Sequence, residues 1–252
     1  TSIEFGDEVT EIPAYLCYGL TGLNSTLVLP DAVTTIGSYA FYGCSGLIGA
    51  VIGKAVTNID SYAFDGCSRL NGELVIPDAV TSIGKYAFYG CRGLSRVIVG
   101  RGVTSIEINT FGKCTGLTSV KWDAVNCGNF SSTSSQPFDG LTNITSMEFG
   151  NEVTKIPAYL CSGLTGLNCP LFIPDAVTTI GTYAFYGCNG VNSVTIGKSV
   201  TSVGSYAFAG CTGLTSVKWN AVNCGNFSST ASSQPFNGLT NITSIEFGNK
   251  VT

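Results

Sequence analysis

Cysteine is the residue type in this chain with the most chemistry to offer, and its spacing argues against most of that chemistry. The 252 residues include 11 Cys and no His. Without His, no Ser-His-Asp or Cys-His nucleophile can be assembled, nor any His-containing zinc site. No C-x-x-C pair occurs, the cysteine count is odd, and the residues come about one per repeat, so neither a metal site nor a disulfide framework is indicated. Cys44, Cys67, Cys91, Cys114, Cys188 and Cys211 share one repeat position. Cys17 and Cys161 stand where other repeats have Phe, and in those same repeats Leu20 and Leu164 stand where the others have Cys. Exchanging Phe-plus-Cys for Cys-plus-Leu is how a packed interior accommodates volume. A buried, reduced thiol ladder is therefore expected, with Cys acting as a small hydrophobe. Cys169 is the candidate for exposure, and Cys127 and Cys224 fall in variant stretches that give them no place.

Tyrosines form a second recurrent set: Tyr15, Tyr39, Tyr62, Tyr86, Tyr159, Tyr183 and Tyr206. Such a column has two readings. It is a platform for sugar rings or protein, or a shield in which each ring covers the next. Trp122 and Trp219 replace Ile52, Ile76 or Val99 of other repeats and read as core rather than lectin platform. The acidic residues sit mainly in turns, as at Asp31 and Asp78, or on strand faces, as at Glu148 and Glu246. No P-loop, G-x-S-x-G or EF-hand loop is present. No enzyme activity and no cofactor are expected.

The elements that must position these residues repeat along the whole chain. P-D-A-V-T begins at Pro30, Pro77 and Pro174, and Y-A-F-x-G-C begins at Tyr39, Tyr62, Tyr86, Tyr183 and Tyr206. Units span 1–22, 23–46, 47–69, 70–93, 94–116, 117–143, 144–166, 167–190, 191–213 and 214–241, with a partial unit at 242–252. A longer repeat is superimposed on these: the sequence from Thr1 recurs from Thr145, and the one from Lys121 recurs from Lys218. Each unit opens with L-x-x-V-x-I, whose alternation reads as a short strand. A Gly or Pro-Asp turn follows, then a second extended piece V-T-x-I. In the closing Y-A-F-x-G-C, Ala40, Phe41 and Cys44 share the face of a single helical turn. One such unit cannot bury its apolar surface alone, so the units must stack, at about 4.8 Å per strand, into a rod roughly 50 Å long. Polar capping units are lacking, so the chain is expected to be a piece of a longer solenoid truncated at both ends. Its uncovered ends predict end-to-end self-association as an artefact of truncation.

The pattern L-x-x-V-x-I-P-x-x-V-T-x-I-G-x-Y-A-F-x-G-C resembles the consensus of BspA-like leucine-rich repeats, over essentially all of residues 1–252. The resemblance implies a right-handed leucine-rich-repeat solenoid, mostly β with short helical turns. It also implies a secreted or cell-surface protein of bacterial type, in a family linked to adhesion to host extracellular-matrix proteins. The units at 117–143 and 214–241 depart from the pattern, with A-V-N-C-G-N-F and the Ser/Thr tracts Ser131–Gln136 and Ser228–Gln234, which read as polar loops.

Within each leading strand, the residue between the last two core positions points outward. That column is Glu4, Val28, Val51, Val75, Ile98, Lys121, Glu148, Phe172, Thr195, Lys218 and Glu246. A surface run of four aliphatics suggests a contact site, although β-branched residues also stabilise a sheet by cross-strand pairing. The candidate binding face is Val28, Val51, Val75, Ile98, Lys121, Phe172 and Lys218. In the horseshoe repeats that the family resembles, this face is the usual ligand surface. The expected partner is a protein of the host matrix or of another cell surface, and a glycan is the second class of ligand. A passive stalk that presents another domain is the alternative function. Net charge is −4, charged residues make up 11% of the chain, and no basic cluster appears, so a nucleic-acid partner is not expected. No apolar run is long enough to cross a bilayer, so no membrane insertion of this segment is expected.

Overall fold

The computed structural model describes residues 1–227 and 233–248. Of the second Ser/Thr tract only Ser233 and Gln234 lie among them, and the last stretch through Thr252 lies outside. The chain forms two compact units, Thr1–Val120 and Lys121–Thr252. Each is a stack of parallel strands joined by turns.

In the first unit two columns of strands run through successive turns. The leading strands are Thr26–Val28, Gly49–Val51, Gly72–Ile76 and Leu94–Val99. Leu27 and Leu74 point inward and are buried, while Val28 and Val75 beside them point out, the alternation a half-buried strand requires. The second column consists of the two-residue strands Glu11–Ile12, Thr35–Ile36, Asn58–Ile59, Ser82–Ile83 and Ser105–Ile106, all parallel and in register. Their Ile side chains make one buried column. The strands stay short because the chain must turn between them. Asp31 at the first of these turns accepts the Lys54 backbone N–H at 3.0 Å from the next turn, and Asp78 accepts that of Arg101 at 2.9 Å. Gly37 ends its short strand where a Cβ would come 2.5 Å from the Ala14 amide nitrogen, so a side chain there would push two turns apart.

The closing segment differs from the expected helical turn. Apart from 3-10 conformation at Thr133–Ser135 and at Ser233, no helix occurs among the described residues. The segment is a run of tight turns in which alternate amides have different destinations. Ala40, Tyr42 and Cys44 donate within the turn, to Gly37, Tyr39 and Phe41, each at 3.1 Å. Tyr39, Phe41 and Gly43 donate across it, to Ser61, Ala63 and Asp65 of the next turn at 3.2, 2.8 and 2.7 Å. To aim its amides this way the backbone takes left-handed values at the tyrosines, with φ of 60° at Tyr39 and 61° at Tyr62. The face is as expected, with Ala40, Phe41 and Cys44 all buried. What replaces the helix is a backbone whose donors serve the neighbouring turn.

Phenylalanines fill the interior beside this segment. Phe41, Phe64, Phe88 and Phe111 stack at 5.1, 5.1 and 5.5 Å between ring centroids. The second unit repeats the design, with leading strands Leu171–Phe172, Ser193–Ile196, Ser216–Trp219 and Ser244–Phe247 in parallel register. Phe185, Phe208 and Phe236 stack at 5.1 Å. Here the tract Ser131–Gln136 is more than a solvated loop. Its Gln136 is fully buried, donates from Nε2 to the Ser162 carbonyl at 2.9 Å and accepts the Phe138 N–H, so the detour returns Phe138 to the core. Trp122 is fully buried, as a core residue should be, whereas Trp219 is half-buried and donates from its indole to the Ala221 carbonyl.

Phe64 sits fully buried between two other rings. Replacing it by Ala is expected to cost about 3–5 kcal/mol in denaturant unfolding. A loss below about 1 kcal/mol would show that the stacked rings do not form the core.

Candidate functional site

The outward column of the leading strands is where the sequence placed it. Val28, Val51 and Val75 are 56%, 53% and 47% exposed, and Ile98 is half-buried. Val28 lies directly across from Val51, and Val75 from Ile98. Between these two pairs no ladder joins Gly49–Val51 to Gly72–Ile76, although the Asn71 amide still reaches the Ile48 carbonyl at 3.2 Å. The gap opens a groove of about 590 Å³ with Val51, Val75 and Ile98 among its lining residues and Lys54, Glu73 and Asp78 on its polar side. Its rim is held by ion pairs, Lys54 to Asp31 at 3.1 Å and Arg96 to Glu73 at 3.2 Å. The backbone hydrogen bond from Lys54, followed by the Lys54 side chain, holds the Asp31 carboxyl below the usual carboxylate range.

The groove was not anticipated from the sequence, although an irregularity next to it was visible there. The unit at 70–93, like those at 23–46 and 167–190, carries an extra residue before its strand core. In the structure this becomes a register shift between Gly72 and Glu73, with Gly72 at φ 73°. Only a residue without a Cβ takes that conformation at little cost. An extra residue is readable in a sequence, but the space that its bulge leaves beside the preceding strand is a property of the packed sheet.

The remaining residues of the column do not extend the apolar patch. Glu4 has no leading strand around it. In the second unit Lys121 pairs with Asp123 at 3.0 Å and Lys218 with Glu246 at 2.8 Å. Phe172, 65% exposed, is the large apolar side chain of that face, with Thr195 opposite it. The column thus provides an aliphatic grooved surface in the first unit and a largely ion-paired one around Phe172 in the second.

The tyrosines stack face to face. Centroids are 4.9 Å apart for Tyr15 and Tyr39, 4.7 Å for Tyr39 and Tyr62, and 5.1 Å for Tyr62 and Tyr86. Tyr159, Tyr183 and Tyr206 do the same in the second unit at 5.0 and 4.8 Å. Each ring inside the ladder spends its faces on its neighbours, so sugar stacking on those faces is blocked and the ladder presents ring edges and hydroxyls. A second column, which the sequence reading did not single out, runs beside the first: Tyr18 stacks on Tyr42 at 4.8 Å, and Tyr89 packs edge-on against Tyr86 at 5.1 Å.

The thiol ladder is buried, and each member has a donor role. Cys44, Cys67, Cys91 and Cys114 donate from Sγ to the carbonyls of Cys17, Phe41, Phe64 and Phe88 in the preceding turn, at 3.0 to 3.3 Å. Cys188 and Cys211 do the same to Cys161 and Phe185, both at 3.1 Å. Cys17 and Cys161 are buried in the Phe column, and Leu164 is fully buried in the Cys column, while Leu20 in the first turn is 47% exposed. Burial pushes the Cys44 thiol up to about 11 and those of Cys114 and Cys127 to about 12. Cys169 and Cys224 are partly exposed, and all 11 thiols are free. Among the described residues no group of three or more Cys, Asp or Glu is placed to hold a metal ion.

The chain matches the family described as BspA type leucine rich repeat region over residues 1–72, 70–171 and 168–252. It is similar to a solved leucine-rich repeat protein from Bacteroides ovatus ATCC 8483, with 24% identity and a TM-score of 0.53 over 97% of this chain and 66% of that one. At this identity the likeness is one of fold, and this chain spans just under two thirds of the length of that protein. Further similar structures are a leucine-rich repeat protein of T. pallidum (22% identity, TM-score 0.44, 82% of this chain and 72% of that one) and one described as a leucine rich cell surface protein from Faecalibacterium prausnitzii A2-165 (20%, 0.38, 92% and 87%). No curated protein matches the chain.

Thiolate, not thiol, is the reactive form, so burial should decide which cysteines react. In the folded protein at neutral pH, an aromatic disulfide reagent is expected to label Cys169 and Cys224 quickly and the rest only after denaturation. Fast labelling of any ladder cysteine would show that the stack opens locally.

Proposed function

The chain belongs to the family of BspA-type leucine-rich repeat proteins, and on that premise we propose that it is a macromolecular binding module of a cell-surface protein, acting through the leading-strand face of its first unit. The observation that carries this reading is the set of three valines left about half exposed beside a groove of about 590 Å³. Single exposed apolar residues are ordinary on a protein surface, but a contiguous apolar patch with a polar rim is the usual mark of a contact site. The rim fits this use, because Lys54 and Asp31 are held against each other in advance and lose little freedom when a partner arrives. The favoured partner is a protein, of the host matrix or of another cell surface. A glycan is the second class, for which the polar side of the groove would supply hydrogen bonds.

Repeat scaffolds of this family are generally non-enzymatic, and the thiols, carboxylates and tyrosines described above form no nucleophile–base pair. No helix among the described residues is long and apolar enough to cross a membrane. Surface display, in this proposal, rests on the family alone.

The test is binding of the protein to immobilised matrix proteins and glycans, compared with the double variant Val51→Asp, Val75→Asp. Both side chains already face water, so the variant should lose under about 1 kcal/mol of stability and keep its melting temperature while binding is abolished. Retention of full binding by the folded variant would move the contact elsewhere. Failure of the wild-type protein to bind anything in the panel would favour the passive stalk.

A further inference from the structure

The second tyrosine column has one interruption. Where the turns before and after carry Tyr42 and Tyr89, the turn between them carries Asp65. Its side chain is half-buried and makes no hydrogen bond or ion pair. Burial pushes its carboxyl up to about 6, with Lys113 opposing the shift. An ionised carboxylate in this place therefore works against folding at neutral pH, and the Lys113 ammonium offsets only part of that cost.

The walls of the notch are aromatic. Tyr42 has one face covered by Tyr18 of the preceding turn, 4.8 Å away and nearly parallel; its other face is turned towards the turn of Asp65. Tyr89 is covered from the following turn, where a Cβ on Gly112 would come 2.8 Å from its ring and the Lys113 ammonium lies 5.3 Å from its centroid. In the preceding turn the same position holds Asp65. Tyr62, from the same turn as Asp65, closes the notch along the first column, stacked between Tyr39 and Tyr86. Tyr42 and Tyr89 belong to turns two apart, on the order of 10 Å by backbone spacing, with the shorter Asp65 side chain between them. A flat ring or guanidinium is thinner than that spacing, whereas an alkylated ammonium head is bulky in every direction. The chemistry agrees with the size, since an ammonium is attracted both to a carboxylate and to aromatic faces. The rings already show this preference within the chain, where the Lys85 ammonium lies 5.7 Å from the Tyr62 centroid.

We propose that Asp65, flanked by Tyr42, Tyr62 and Tyr89, is a recognition site for an alkylammonium group, quaternary or N-methylated, carried by a ligand or partner. This site is separate from the valine face and does not depend on the function proposed for it. The titratable groups whose charge bears on Asp65 are the Tyr42 hydroxyl, the Lys113 ammonium and the thiols of Cys67 and Cys91. Burial keeps both thiols neutral throughout the pH range concerned. A carboxyl raised to about 6 is ionised at pH 7 and mostly protonated at pH 5, so affinity for a cation should fall about tenfold between the two.

The experiment is a titration of the folded protein with tetramethylammonium chloride, with potassium chloride as ionic-strength control, followed by NMR of the Asp carboxyl and Tyr ring signals. Saturable binding is expected, with ring signals of Tyr42 and Tyr89 shifting together and the Asp65 titration midpoint moving down. Asp65→Asn should weaken binding at least tenfold and raise the melting temperature, since it removes a desolvated charge. Tyr42→Ala should weaken binding without abolishing the Asp65 titration. Val51→Asp with Val75→Asp should leave ammonium binding unchanged, which separates this site from the strand face. Absence of saturable binding, or equal binding by the folded Asp65→Asn variant, would overturn the proposal. A shift reproduced by potassium chloride would do the same.

Discussion

Each turn of this protein can complete its backbone hydrogen bonding only by using the next one. The turn segment donates every second amide across the stack, as Tyr39, Phe41 and Gly43 do, and a buried amide left without such a partner is costly. The Phe41 carbonyl shows how fully the constraint is used, because it accepts the Cys44 N–H of its own turn and the Cys67 S–H of the next. A thiol is small enough for the interior and still carries a weak donor. Cysteine therefore occupies this column for reasons of packing and hydrogen bonding that involve no redox chemistry. Threonine hydroxyls add a parallel series at the surface, with Thr34, Thr57, Thr81 and Thr104 each donating to the carbonyl of the corresponding residue one turn earlier.

The same demand explains the left-handed tyrosines. A left-handed backbone costs a residue with a Cβ roughly 1–2 kcal/mol, and among the described residues it recurs at seven tyrosines, Asn109 and Lys113. The strain persists because inter-turn bonds on both sides dictate the conformation, and ring stacking at 4.7 to 5.1 Å offsets part of it. In the turn after Tyr86 the column holds Asn109, also at positive φ, a residue that tolerates this region well. The backbone conformation belongs to the position, and the tyrosine ring is an addition to it.

These constraints account for the division between scaffold and candidate sites. Where the repeat is regular, the amides of the closing turn and the ladder thiols find acceptors within their own turn or one turn away. Both surfaces with potential for recognition lie where the regularity is broken, at the inserted residue that becomes Gly72 and at Asp65 in a column of tyrosines. Repeated turns make a surface predictable, and a departure from the repeat creates space or leaves a group without a partner.

The sequence by itself determined the repeat length, the parallel stacking, the two strand columns, the burial of the cysteines and the outward direction of Val28, Val51 and Val75. All of these follow from periodicity, since alternation along a strand and recurrence between turns are linear properties of the chain. It misjudged Tyr39–Cys44 as a helical turn because buried positions at i, i+1 and i+4 fit that shape equally well. The choice between the two depends on where the amides find acceptors, and those lie one turn away. The groove beside Val51 and Val75, the stacking of Tyr18 on Tyr42, the burial of Gln136 and the partial burial of the Asp65 carboxyl were decided only by tertiary structure. Each depends on the distance between residues about 23 positions apart in sequence, such as Tyr42 and Asp65. Stacking sets that distance, and no local propensity encodes it.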